Sequence, residues 1–434
     1  MKFIDTLKNI YKIEELRKRI LFTLGLLLIY RLGSFVTLPG VDHDALAKMT
    51  EAFADDQSLL GLLNVFSGGA FSQASIFALG VMPYITASII IQLLGIMVPY
   101  FRKMQREGES GRRKMNQWTR FLTIAVLLLQ APAYLSTQLI NGYNVVDPAC
   151  SGSFLGIAHG QFIIPAVIVL IAGTMFIMWL GEKITDRGIG NGVSLIIMIG
   201  IVARLPMALV SEAQSLNNPL MLIVELVFLA LVFMLAIAIV QAVRRIPVQY
   251  AKRIVGNKQY GGVRQYIPLK LNAANVMPII FAQALMFIPG LIWDDVQAWQ
   301  FNGWAYNTAL VVMVIAFTFF YTAIIVNPQM MADDMKRNGG FIPGVKPGKS
   351  TVKYIDDIMT RITLPGSMFL ALITILPAIA MKLGVDSSFA YFFGGTSLLI
   401  MVGVVLDTLK QVESYLLMRH YDGLMKTGRI QGRY

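Results

Sequence analysis

Cys150 is the sole cysteine of the chain, and His43, His159 and His420 stand far apart. No internal disulfide, thiolate metal site or metal-ligand spacing can be written from them. Residues 343–350, Pro-Gly-Val-Lys-Pro-Gly-Lys-Ser, end like a phosphate-binding loop. Such a loop needs glycine where Pro343 stands, and a strand before it. Gly188-Ile189-Gly190-Asn191-Gly192 has the wrong spacing for a dinucleotide fingerprint and opens an apolar run. No Ser/His/Asp, Cys/His or paired-carboxylate pattern is placed for catalysis, so the sequence offers no catalytic residue, metal ligand or cofactor site. The side chains that remain able to do chemistry are cations, and theirs is the chemistry of recognition.

Those cations are concentrated. The stretch 243–272 carries Arg244, Arg245, Lys252, Arg253, Lys258, Arg264 and Lys270 and no acid. The stretch 328–362 carries Lys336, Arg337, Lys346, Lys349, Lys353 and Arg361, and 99–117 holds Arg102, Lys103, Arg106, Arg112, Arg113 and Lys114. The alternate gaps are the reverse. Residues 37–73 have only Lys48 outside the apolar runs, against Asp42, Asp44, Glu51, Asp55 and Asp56, and 137–154 and 294–306 have no cation. Short loops rich in Lys and Arg stay on the cytoplasmic side of a membrane. Lys2 to Arg19 and Lys410 to Arg433 fall on that same side, so both ends are expected in the cytoplasm, with an even number of crossings between them. Cys150 then lies on the outer side. The formal charge of +12 is no sign of nucleic acid by itself, because anionic lipid heads attract a one-sided excess equally. Three basic loops of this length nevertheless exceed what topology needs.

The elements that position these loops are apolar. With 56% hydrophobic and 14% charged residues, the chain is too apolar for an ordinary soluble fold. Runs at 21–38, 74–98, 118–136, 155–180, 189–208, 218–242, 273–293, 307–327, 363–383 and 391–409 are each long enough to cross ~30 Å of hydrocarbon. Helix is the form in which a lipid-exposed span satisfies its own backbone. An all-α, polytopic membrane protein with ten transmembrane helices is expected. Arg31, Glu225, Lys382 and Asp407 lie in or near the runs and read as snorkelling groups or local ion pairs. Residues 59–72, Leu-Leu-Gly-Leu-Leu-Asn-Val-Phe-Ser-Gly-Gly-Ala-Phe-Ser, are apolar but too short to span. With Gly68-Gly69 as an interruption before a full span, they read as a re-entrant element on the outer side. The expected organisation is an N-terminal half at 1–208 and a C-terminal half at 209–409 with long cytoplasmic loops at 244–270 and 328–361. A cytoplasmic tail follows at 410–434. An odd number of helices per half would invert one half relative to the other. The N-terminal segment reads as an amphipathic charged helix rather than a cleavable signal.

Several stretches together resemble one family. Residues 71–94 (Phe-Ser-Gln-Ala-Ser-Ile-Phe and onward), 106–120, 186–197, 250–253, 268–278, 327–349 and 394–407 are similar, in order, to the SecY family, the channel subunits of bacterial protein-conducting translocons. The resemblance implies two inverted five-helix halves around a central pore, closed by a re-entrant plug helix, in the bacterial plasma (inner) membrane. It implies passage of unfolded secretory polypeptides across the membrane and lateral release of transmembrane segments into lipid, with no enzymatic activity and no cofactor. Matched positions give a pore ring of Val81, Ile85, Val193, Ile197, Ile280 and Ile400, and a plug containing Leu60, Leu63, Phe66, Gly68 and Gly69. The i,i+4 spacing of Val81/Ile85 and of Val193/Ile197 puts each pair on one helix face. Thr86, Ser88, Gln92, Gln130, Asn275 and Gln283 are candidate lateral-gate residues. Arg244, Arg245, Lys252, Arg253, Lys258, Arg264, Lys336, Arg337, Lys346 and Lys349 would dock the SecA motor ATPase and, through rRNA phosphates, the ribosome. Gly261-Gly262 and Gly339-Gly340 would let these loops project as tips. Implied partners are SecE, SecG, SecA, the ribosome, signal peptides, nascent chains and membrane lipids. Lys346 stands where the family usually has Arg, keeping the charge but not the planar fork. A solute transporter would need ionisable groups at mid-membrane, and an ion channel polar filter rings; the candidate constriction here is aliphatic.

Overall fold

The computed structural model describes residues 13–54, 64–147, 152–153, 159–215, 219–250, 253–255, 258–260, 264–274, 276–292 and 303–426. Its contacts divide the chain into two compact units, Met1–Val210 with Val404–Tyr434, and Ser211–Gly403.

The first unit begins with α1 (Glu14–Gly33) and α2 (His43–Ala54). After a buried stretch of turns come α3 (Met82–Met97) and the amphipathic α4 (Pro99–Arg106), each with a proline in its first turn, where a missing N–H is harmless. The bend between them is 100°. α5 (Glu109–Tyr134) contains Pro132, which can neither donate nor tolerate an ordinary turn. The chain answers with a π-helical stretch at Leu135–Ile140, closed by Asn141 N–H donating to the Ser136 carbonyl at 3.0 Å. α6 (Gly160–Arg187) and α7 (Gly192–Ser215) follow. At one end, Leu38, Met49, Phe71, Tyr134, Leu135, Leu139, Phe162 and Leu170 form a continuous buried core. Toward the other end, Arg120 of α5 grips Glu182 of α6 bidentately, at 3.1 and 2.5 Å.

The second unit contains α8 (Pro219–Gln241), a small sheet, α9 (Met277–Ile292), α10 (Trp304–Ile325), α11 (Pro328–Arg337) and α12 (Lys349–Lys382). A short helix, α13 (Ser387–Ala390), precedes α14 (Gly395–Lys426), whose later turns belong to the first unit. There Gln411 accepts a hydrogen bond from Gly190 N–H at 2.7 Å, and Arg19 lies over the Tyr415 ring. At 34 residues, α12 is about 51 Å long, enough to cross ~30 Å of hydrocarbon with several turns to spare.

Against the ten expected spans, seven helices among the described residues are long and apolar enough to cross a membrane, or eight if the bent α3–α4 pair is one span, so the count of ten is not confirmed there. The helices that fall short do so for local reasons. α1 carries Arg17, Lys18, Arg19 and Arg31, while α3 and α9 have 16 residues each, about 24 Å of helix. The expected span at 74–98 is helical only from Met82, because Ala74 and Gly80 adopt positive φ and the chain turns there. One expectation changes, and it concerns the basic loops. β1 (Val243–Tyr250), β2 (Arg253–Val255), β3 (Lys258–Tyr260) and β4 (Arg264–Lys270) form two antiparallel pairings, β1 with β4 and β2 with β3. β5 (Gly340–Phe341), from the other loop, adds to the free edge of β1.

Candidate functional site

Phe66, Gly68 and Gly69 sit in a buried turn that ends a short helical stretch at 64–66. Gly69 N–H donates to the Asn64 carbonyl at 2.9 Å, and Gly68 N–H to the Val65 carbonyl at 3.1 Å. That reciprocal pair is a Schellman termination, with Gly68 at φ +66° in the left-handed position that only glycine takes cheaply. Side chains finish it. Ser67 Oγ donates to the Asn64 carbonyl and accepts from Phe71 N–H, while Asn64 Oδ1 accepts from Ser72 N–H, each at 3.1 Å.

The turn rests on two helices. From α1, Arg31 Nη1 donates to the Gly68 carbonyl at 2.8 Å, and Tyr30 OH reaches the Ser67 carbonyl at 3.4 Å. From α7, Gly200 lets the backbones meet. A Cβ on Gly68 would stand 2.8 Å from Gly200 Cα, and one on Gly200 would stand 3.1 Å from the Phe66 carbonyl oxygen. Arg204, one turn further along α7, brings its Nε within 3.8 Å of where a Gly69 Cβ would be. Beyond the turn, Tyr134 OH donates to the Phe71 carbonyl at 2.8 Å. The chain is then pinned beside residues 36–38 through Leu38 N–H to Ala74 O and Ile76 N–H to Val36 O.

Sequence reasoning missed this seat. Arg31, read as a snorkelling or ion-paired group, binds a buried carbonyl instead. Arg204 went unremarked inside the run at 189–208, where a cation among aliphatic residues was the available signal. Of the plug positions, Leu60 and Leu63 lie outside the described residues, as do Lys252, Asn275 and Cys150.

Of the six ring positions, four belong to the first unit. Val81 is buried just before α3, and Ile85 N–H donates to its carbonyl at 3.0 Å, so the two stack one turn apart. Val193 and Ile197 stand one turn apart on α7, half-buried and buried. In the second unit Ile400 is buried, and Ile280 keeps free surface where its neighbour Ile279 has none. Among the gate candidates, Thr86 OH donates to the Met82 carbonyl and Gln92 Nε2 to Ser88 Oγ, both within α3. Gln130 is exposed, and Gln283 of α9 accepts from Thr396 OH at the start of α14.

The sheet joins the two long basic loops. Ile246, Val248 and Leu269 pack against Met335, Ile342, Ile355 and Met359, which holds the first loop against the second. Arg244 and Arg245 on β1, and Lys336, Arg337, Lys346 and Lys349 in the second loop, are exposed. Arg253 lies on β2, Lys258 on β3 and Arg264 on β4. Gly340, expected in a projecting tip, is instead buried in β5 opposite Tyr250, where a Cβ would crowd the ring at 3.0 Å. No group of three or more His, Cys, Asp or Glu side chains is arranged for a metal among the described residues.

Against known proteins, the SecY family model matches residues 75–409. The protein translocase subunit SecY of Streptomyces scabiei is 42% identical over 446 aligned residues, covering 96% of this chain and 98% of its own. Among solved structures, a protein-conducting channel aligns with a TM-score of 0.58 at 17% identity, over 91% of each chain. Sec61 of a canine ribosome–channel complex aligns at 0.53 and 16% identity, again over 91% of each, so the likeness in fold extends across most of the molecule. A helical multi-pass membrane chain with this match along nearly its whole length belongs to the SecY family.

Proposed function

We propose that the chain is the pore-forming subunit of a protein-conducting channel in a bacterial inner membrane, passing unfolded polypeptides across it and releasing apolar segments sideways into lipid. The observation that carries this reading is the 42% identity to a translocase SecY over 96% of the chain. The role is conduction rather than catalysis. Val81, Ile85, Val193, Ile197, Ile280 and Ile400 are the aliphatic side chains of the constriction, which excludes ions by dewetting yet parts around a polypeptide. The Gly68–Gly69 turn and the residues before it are the plug that fills the outer funnel at rest.

Both termini lie in the cytoplasm, in keeping with the alternation of basic and cation-free gaps. SecE clamps the halves and SecG is peripheral. Hydrophobic signal segments leave by a gate lined with Thr86, Ser88, Gln92, Gln130, Asn275 and Gln283, where interhelical polar contacts of about 0.6–2 kcal/mol bias the closed state without locking it. The driving force comes from SecA or a translating ribosome, docked on the cations of the two loops that the sheet joins. The likeness in fold to a channel held in a ribosome complex supports that docking.

The test is co-reconstitution of the chain with SecE and SecG in liposomes, adding SecA, ATP and a labelled secretory precursor. ATP-dependent protection of the precursor from protease is the expected result. No protection, with the same SecA active on a control channel, would sink the reading.

A further inference from the structure

Arg31 lies in the last turn of α1 and Arg204 within the apolar α7, yet neither takes part in an ion pair among the described residues. Arg31 Nη1 stands 3.1 Å from where a Gly68 Cβ would be and Arg204 Nε 3.8 Å from where a Gly69 Cβ would be, so the two guanidiniums flank adjacent residues of one turn. Cations without an acid partner among apolar helices are expensive, so two beside one turn call for a role. Their contacts differ. Arg31 donates to the Gly68 carbonyl and stacks its Cζ 4.8 Å over the Phe35 ring, which holds its fork toward the turn. Arg204 makes no hydrogen bond among the described residues and approaches Gly69 from the opposite helix. The turn is incompletely satisfied as well, since Asn64 Nδ2 is buried without a partner among the described residues.

We propose that Arg31 and Arg204 are opposed positioning residues for the plug, the first latching the Gly68 turn in its seat and the second loading that latch by like-charge repulsion. The inference rests on the plug reading above. With the turn seated, Arg31 gains a charge-assisted hydrogen bond. It also stays beside Arg204, and both side chains are half-buried, where repulsion is screened less than in open water. With the turn displaced, water reaches both guanidiniums and the Asn64 amide, so opening recovers part of what the seat costs. The latch is therefore held and poised at once.

The two arginines should have opposite effects, which a merely structural role would not give. The measurement is resting ion conductance of the chain co-reconstituted with SecE and SecG in planar bilayers, with deletion of residues 60–70 as the reference open channel. Losing a charged hydrogen bond should raise the Arg31→Met leak roughly tenfold or more over wild type. Arg204→Met should leak less than wild type and open more slowly when SecA and precursor are added. Arg31→Lys should fall between wild type and Arg31→Met. Should Arg31→Met fail to co-purify with SecE, Arg31→Gln takes its place with the same expectation. An Arg31 variant as tight as wild type beside a leaking deletion overturns the latch and leaves the plug intact. Leakage from both arginine variants overturns the opposition. A deletion that does not leak removes the plug reading itself, and the latch with it.

Discussion

Gly68→Ala is the sharpest perturbation of the proposed plug seat. Its φ of +66° costs an alanine about 1 kcal/mol, and the new Cβ stands 2.8 Å from Gly200 Cα and 3.1 Å from the Gly200 carbonyl oxygen. Comfortable carbon–carbon separation is roughly 3.5–4.0 Å, so the turn must retreat by about 1 Å. Retreat on that scale takes the Gly68 carbonyl out of reach of Arg31, now at 2.8 Å, at a further cost of about 1.5–3 kcal/mol. Together these amount to about 2.5–4 kcal/mol, or roughly a hundredfold to a thousandfold shift toward the unseated turn. The assay is ion permeability of vesicles carrying the channel with SecE and SecG. Gly69→Ala should act more weakly, because at φ +91° it meets only Arg204 Nε at 3.8 Å and pays the backbone term alone. Gly25→Ala, whose Cβ meets nothing within 4 Å, should be silent. Equal permeability for Gly68→Ala and Gly25→Ala, in channels that still bind SecE, would refute the reasoning.

Other sites carry their own expectations. Tyr134→Phe removes the shorter of two hydrogen bonds to the buried Phe71 carbonyl, leaving Ala74 N–H at 3.3 Å, and should destabilise the first unit by about 0.5–1.5 kcal/mol, read as a lower unfolding temperature in detergent. An unchanged midpoint would mean that another group satisfies that carbonyl. Ile197→Asn should raise ion leakage by wetting the aliphatic ring, whereas Ile168→Val on an exposed part of α6 should leave it unaltered. Equal leakage from the two would remove Ile197 from the constriction. Lys346→Glu should impair SecA-driven translocation severalfold while Lys346→Arg does not, since the exposed side chain offers charge rather than packing. Full activity of the Glu variant would remove Lys346 from the docking surface.

How much of this was legible depended on which force shapes each segment. Runs such as 218–242 declare themselves by composition alone, and α8 occupies that run. The turns before Met82 did not, because Ala78, Leu79 and Val81 suit a helix and a buried turn equally. Pro83 in the first turn of α3 was the only local marker of the true start. The sheet was hidden by the charge of its loops. Its signal was the alternation of Ile246 with Val248 and of Ile267 with Leu269, period two in both strands, with Ile246 opposite Ile267. The seat of the Gly68 turn was the least legible. It depends on Gly200 facing Gly68 across two elements far apart in sequence, and on Arg31 meeting a main-chain carbonyl rather than an acid. Neither contact has a periodicity, so neither can be read from one chain.

The most direct test of conduction is to place a photo-crosslinking residue at Val81 or Ile197, and separately at Ile168, in channels holding a precursor stalled midway. The account predicts crosslinks to the stalled precursor from Val81 and Ile197 and none from Ile168. Crosslinks absent from both ring positions, or as strong from Ile168, while translocation proceeds would contradict it.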